Sequence, residues 1–257
     1  MLRLAYPGVN NLSLLGRGRG SVELSVPKAS GVAWTPADIA DLALFFHFKP
    51  GANCAYASNG GAAAGAGDPV GYAAPLFGTS ISASEATNKP TLQADGLQLD
   101  AAGVELLNFS AQFSATDITV YWSMIVDAAS SMACFASDTA QGSLLGGAGD
   151  VCIFDNASNY LSAAASAFNT VIMGRLNMNG AGDYSVISTG EANNSGSVIN
   201  SGFDFNQIGG TGAIGAGNDS TANRFRLVIA IKRSIALDSA EDLLIRNWIS
   251  TNDGAEL

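Results

Sequence analysis

From about residue 90 to residue 231 the chain keeps returning to one pattern, a short run of β-branched, aromatic and aliphatic residues closed off by Gly, Asp or Asn. ITVYWSMIVDA, which follows Asp117, is the strongest of these runs and is rich in the residues that fit a pleated, half-buried surface. SMACFAS, SLLGG, DVCIFDN, YLSAAAS, TVIMGRLNMNG, DYSVIST and FNQIGG follow at close spacing, and RFRLVIAIKRS alternates before the pattern stops. Upstream, PTLQADGLQLD reads as two short strands around Asp95-Gly96. One convincing helix comes last, in LDSAEDLLIRNWIS. There Asp238 is read as the N-cap, Glu241 completes a capping box, and Leu244, Ile245, Trp248 and Ile249 form the apolar face. Many short strands with a single terminal helix predict an all-β, two-sheet antiparallel sandwich.

The front of the chain is organised differently. Residues 1–33 mix short apolar patches with turn residues, and only SVELSV alternates like a strand; they are read as an extended N-terminal arm for assembly or anchoring. Trp34 opens the sandwich, expected over residues 34–257. Thr35 can cap a short helical turn, with Pro36 at its first position and Asp38 at its positive end, and LALFFHF then reads as a buried strand. The Gly/Ala-rich stretch 51–75, with NGGAAAGAGDP, has few large side chains and is expected to be a loop that builds no core.

Charge narrows the function. Only 13% of residues are charged, and 12 bases against 22 acids give a net charge of −10. No basic stripe is present to track phosphates, so no nucleic-acid partner is expected, Arg17 and Arg19 in LGRGRG being the one local exception. No stretch approaches the roughly 20 apolar residues that cross a bilayer, so no membrane partner is expected. The N-terminus lacks a continuous apolar core of a signal peptide, which predicts a protein made and kept in a cytoplasm. Cys54, Cys134 and Cys152 include no CxxC pair. Cys134 and Cys152 could face each other across a hairpin, but buried thiols are the expectation.

Taken in order, four segments carry a resemblance. These are WTPADIADLALFF, NKPTLQADGLQLDAAGVELL, DITVYWSMIVDA and, most specific, QIGGTGAIGAGNDSTANRFRLVIAIKRSIALDSAEDLLIRNWI. Over about residues 34–250 the chain resembles the LamG-like, concanavalin A-type jelly-roll family. The resemblance implies two stacked antiparallel sheets in a jelly roll, carbohydrate or protein ligands, and in some members calcium at the rim. The long loop at 51–75 and the arm depart from the family's pattern.

The chemistry of catalysis is thinly represented. Glycoside hydrolysis needs two carboxylates projecting together, whereas Asp95, Asp100 and Glu105 are spaced by turns. His47 is the only imidazole and lies in the apolar run FFHF, where a packed structural role is expected. No GxSxG elbow occurs, and GGAAAGAGDP lacks the Lys-Ser/Thr of a phosphate loop. No catalytic residue and no organic cofactor are therefore expected. Calcium is the one ion with candidate ligands: Asp150, Asp155 and Asn156 around one strand, and Asn218 and Asp219 in the loop before the last strand. The same residue types are ordinary in β-turns. Tyr160, Tyr184 and Trp122 could stack on sugar by residue type, but strand aromatics belong mostly to cores.

These observations give three expectations in order. First comes a non-enzymatic virion structural protein of a phage, as capsid decoration, head fibre or tail component, that self-associates or meets other virion proteins through its arm. Second comes a carbohydrate- or receptor-binding module whose ligand is a host-surface glycan. A glycoside hydrolase ranks last.

Overall fold

The computed structural model describes residues 34–78, 82–85, 88–99, 106–125, 132–136, 143–146, 150–155, 159–164, 169–190, 192–197, 203–209, 224–255 and 257. In chain order the strands begin β1 (Leu42–His47), β2 (Ala55–Tyr56), β3 (Tyr72–Ala73), β4 (Phe77–Gly78), β5 (Ala83–Glu85), β6 (Thr91–Gln93), β7 (Gly96–Gln98), β8 (Leu106–Ala115) and β9 (Ile118–Ile125). They continue β10 (Met132–Ala136), β11 (Ser143–Gly146), β12 (Asp150–Asp155), β13 (Asn159–Ala164), β14 (Val171–Met178), β15 (Asp183–Ser188), β16 (Asn194–Ser197), β17 (Phe203–Gly209) and β18 (Arg224–Ile231). Helix α1 (Ala240–Asp253) closes the chain.

Two antiparallel sheets result. The first runs β16-β15-β14-β9-β18-β1-β4, with the β6–β7 hairpin paired to β18; the second runs β13-β12-β11-β10-β17-β8-β5-β3-β2. This is the two-sheet sandwich with a short C-terminal helix that the strand rhythm predicts. Between the sheets lies a core that includes Leu44, Phe46, Leu107, Phe113, Val120, Trp122, Met124, Phe205 and Val228.

The central strands of the first sheet are buried on both faces, and β9 shows how. Ile118, Val120, Trp122 and Met124 enter the inter-sheet core, while Tyr121, between them, joins a second cluster beneath α1. In that second cluster Ile245 and Ile249 of the helix pack with Phe45, Tyr121, Leu227 and Ile229. Sealing each of the two isoleucines is worth about 1.5–3 kcal/mol. The helix is thus a third layer, held by its apolar stripe.

β18 changes phase to serve both faces. Phe225 pairs with Met124 and Leu227 with Ser123, so Arg226 is an extra residue in a β-bulge. A bulge re-aims a side chain, and here it turns Arg226 toward the end of α1. Gly174 of β14 is equally constrained: a Cβ there would meet the Trp122 ring at 2.1 Å. The indole occupies the space a side chain would need.

Two expectations are corrected, and one open alternative is closed. The helix N-cap is Ser239, not Asp238; its side chain accepts from Asp242 N–H, which places Asp242 rather than Glu241 at the third helical position. Asp238 instead has φ +59, a turn residue just outside the helix. The stretch 51–75 does build core: Cys54, Ala55, Ala64, Val70 and Ala73 are buried there, and β2 and β3 extend the second sheet. Small side chains let this backbone lie close against its neighbours. Finally, β11 separates the strands carrying Cys134 and Cys152, roughly two strand spacings or about 9–10 Å apart, too far for one disulfide. The arm, residues 1–33, lies outside the described residues.

Candidate functional site

Buried charged and polar side chains, His47 among them, converge beneath α1. At its N-terminal end the Asp242 carboxylate is fully buried and accepts four donors. Oδ1 takes Arg175 Nε at 2.8 Å and the Tyr121 hydroxyl at 2.7 Å. Oδ2 takes Arg246 Nη2 at 2.8 Å and Asp238 N–H at 2.9 Å. Arg175, from β14, also donates to the Ile235 carbonyl and lies 5.7 Å from the centre of the Tyr121 ring. Burial raises the Tyr121 hydroxyl pKa well above its ordinary value; the Arg175 charge opposes that rise and Asp242 adds to it. Arg175 and Tyr121 tie the helix to the sheet, while Arg246 and the Asp238 N–H brace the carboxylate from the helix's own side.

At the other end, Asp253 sits on the last turn, where the helix dipole disfavours a carboxylate. Arg226 grips it in a fork, Nε to Oδ2 at 3.1 Å and Nη2 to Oδ1 at 3.1 Å, and Nη2 also donates to its carbonyl at 2.9 Å. His47 Nε2 lies 3.2 Å from Oδ1, and Ser123 donates its hydroxyl to Oδ2. Burial pushes the Asp253 carboxyl up, but the hydrogen bonds from His47, Arg226 and Ser123 outweigh it and hold the group below the usual carboxylate range. Ser, His and Asp therefore meet here, in an order unsuited to nucleophilic catalysis. The serine donates to the carboxylate, not to the imidazole, so no base stands ready to take its proton. Ser123 is sealed from solvent and His47 only 4% exposed.

The same edge of the first sheet carries an accessible feature that sequence reasoning did not single out. Phe77 of β4 is directly opposite Phe45 of β1, so both lie on the helix side of the sheet. Their rings stack 6.0 Å apart at an interplanar angle of 16°. Phe45 is buried, while Phe77, at the sheet's margin, is 40% exposed. Trp248 of α1 meets Phe45 edge-on at 5.4 Å and His47 at 6.1 Å, and it is half-buried. Gly78 fixes the approach: its φ is +103, and a Cβ would meet the Ala43 carbonyl oxygen at 2.4 Å. Phe77, Phe45 and Trp248 thus make an aromatic ledge along the edge strand, open at Phe77. Beyond it Lys49, exposed at the end of β1, donates from Nζ to the Asn252 carbonyl at 3.2 Å, and Asn252 Nδ2 donates to the Trp248 carbonyl at 2.8 Å.

The residues named from sequence fall elsewhere. Asp150 and Asp155 are the two ends of β12, roughly 17 Å apart along an extended strand, so they do not share one ion. Asn156, Asn218 and Asp219 lie outside the described residues. Among the described residues no group of three or more His, Cys, Asp or Glu side chains could hold a metal. Asp95 is a turn carboxylate paired with Arg224 at 3.0 Å, and Asp100 and Glu105 lie outside the described residues. Trp122 is fully buried and offers no stacking face, and Tyr184 packs partly buried against the core.

No protein-family model matches the chain, and no curated protein matches it. By structure it is similar to Trypanosoma rangeli sialidase in complex with sialic acid, with a TM-score of 0.50 and 13% identity over 88% of this chain and 35% of that one. It is also similar to a mutant of HCR/D, with a TM-score of 0.51 and 11% identity over 80% of this chain and 50% of that one. The botulinum neurotoxin serotype D binding domain has a TM-score of 0.48 and 11% identity, over 80% of this chain and 51% of that one. The chain spans about a third of the sialidase and about half of the other two. At these identities the likeness is one of fold alone, a β-sandwich. Among the described residues no helix is long and apolar enough to cross a membrane.

Proposed function

We propose that this chain is a non-catalytic carbohydrate-binding sandwich that takes its glycan on the aromatic ledge of the first sheet. The exposed Phe77 ring, backed by Phe45 and flanked by Trp248, carries this reading. A flat aromatic face held rigid from behind matches the apolar face of a pyranose ring and loses little side-chain freedom on binding. The lectin-like fold, shared with a sialidase whose structure holds sialic acid, supports it at the level of architecture. The non-catalytic part rests on the buried Ser123, Asp253 and His47, whose hydrogen bonds are spent on holding α1.

The virion setting expected from the sequence depends on the arm, residues 1–33, and the sandwich adds nothing to it. Its receptor-binding form is the one the ledge favours. Calcium, expected from the sequence at Asp150, Asp155 and Asn156 or at Asn218 and Asp219, enters as a proposal only for Asp155 with Asn156 or for Asn218 with Asp219, which the same measurement addresses. The test is a glycan array probed with the wild-type chain and with Phe77→Ala, each with and without a chelator. The reading expects a defined set of glycans that Phe77→Ala loses. Wild-type binding that survives Phe77→Ala unchanged, or no glycan bound at all, would overturn it. Loss of binding with chelator alone would point to the rim.

A further inference from the structure

The cations near the ledge are unequally committed. Among the described residues each arginine is in an ion pair: Arg175 with Asp242, Arg224 with Asp95, Arg226 with Asp253, Arg233 with Glu241, and Arg246 with Asp238 and Asp242. Lys49 is different. It is exposed, and its ammonium spends one hydrogen on a main-chain carbonyl, that of Asn252. No described carboxylate lies in ion-pair range of it. An ammonium carries three donors, so one bond to a carbonyl leaves this exposed group with capacity for a further acceptor. In a chain of net charge −10, an exposed ammonium joined through Asn252 to the helix turn that carries Trp248 is a local place that favours an anion.

Position joins the two features. Phe45 and Lys49 are four residues apart in the chain, at most about 14 Å along an extended backbone. Trp248 and Asn252, one helical turn apart, bridge that interval from the helix side. An aromatic face at one end and an ammonium at the other suit a short oligosaccharide in which one residue stacks and another bears a carboxylate.

We infer that the ledge selects acidic glycans, with Lys49 binding the sugar carboxylate. This rests on the glycan-binding reading above and names its ligand class. Charge-assisted hydrogen bonds from an ammonium are the strong polar contacts in such a site.

The test titrates the full chain with 3′-sialyllactose and with tetragalacturonate, each as the free acid and as its methyl ester, by calorimetry. At least one free acid is expected to bind about tenfold or more tightly than its ester. Lys49→Met is expected to bring that acid down to the ester's affinity and leave the ester unchanged, and added salt to weaken the acid alone. Equal binding of acid and ester, or an acid preference that survives Lys49→Met, overturns the inference while leaving the ledge intact. Failure of all four ligands while the array still shows Phe77-dependent binding of neutral glycans overturns this inference alone, and an array with no glycan bound, or binding indifferent to Phe77→Ala, overturns the glycan-binding reading and this inference with it.

Discussion

Arg175 and Asp242 form an ion pair of 2.8 Å in which neither side chain has any exposure to solvent. Two strands and a helix meet at that point, since Tyr121 of β9 and Arg246 of α1 share the same carboxylate. Removing Arg175 leaves the sealed Asp242 carboxylate with Arg246 as its remaining cation and takes away the charge that ties it to the sheet, and breaking a buried pair in this way costs more than the pair contributes. Arg175→Met is therefore expected to lose about 3–5 kcal/mol of unfolding free energy, read by urea denaturation. A loss under about 1 kcal/mol would show that the pair is not what seats the helix.

The Asp253 cluster makes stability depend on acid pH. Its carboxyl is held below the usual range, so its contribution is fully present above the unfolded value of about 3.9. That contribution is lost as pH falls through the lower folded value. Asp253→Asn should be less stable than wild type at pH 7, and the gap should close on acidification below about pH 4. Denaturation midpoints across a pH series measure this. A gap that is constant with pH contradicts it.

Gly174 gives a packing test. Gly174→Ala puts a methyl group where the Trp122 ring lies, 2.1 Å from the nearest ring atom, and Trp122 has no free space in the core. Overpacking of this kind costs about 1–3 kcal/mol. The substitution should lower the melting temperature and change the Trp122 emission, whereas an unaltered spectrum and midpoint would mean that the strands separate easily there.

Cys54 reports on the first buried turn of the Gly/Ala stretch. Burial pushes its thiol up to about 12, with the His47 backbone hydrogen bond opposing. The thiolate is the reactive form, so at pH 8 Cys54 should resist iodoacetamide in the folded protein and react once urea is added. Peptide mass spectrometry reads the site directly. Fast labelling of Cys54 without denaturant would place that stretch outside the core.

Most strands were legible because their pattern is local. TVIMGRLNMNG, DVCIFDN and RFRLVIAIKRS became β14, β12 and β18, each bounded by the turn residues that mark its ends. β8 was not, because its pairing is irregular: Phe113 lies opposite Phe205, but Asn108 opposite Gln207, so the extra residues between them break the alternation. The Gly/Ala stretch misled for another reason. Side-chain size predicts how much a residue fills, not whether its backbone pairs, and in β2 and β3 one Ala–Ala pair and one Tyr–Tyr pair suffice to extend the sheet.

Chemistry was less legible than architecture. Arg175 in an otherwise apolar strand was a signal that something must neutralise it, yet its partner is 67 positions away on the helix. Phe77 sits in PLFG, a two-residue edge strand at the end of a bland stretch, and nothing local marks it as exposed. Its meaning comes from Phe45 and Trp248, which only the fold brings beside it. The calcium candidates followed turn composition, which carries no information on which turns meet.

The most direct test of the central claim is to watch the ledge itself while a glycan binds. Aromatic carbon–proton spectra of the chain, with Phe77, Trp248 and Trp122 assigned, should be recorded across a titration with a glycan selected on the array. The account predicts that Phe77 and Trp248 shift progressively and saturably while the buried Trp122 stays in place. Saturable binding that leaves Phe77 and Trp248 unmoved, with the shifts confined to another part of the sandwich, would contradict it.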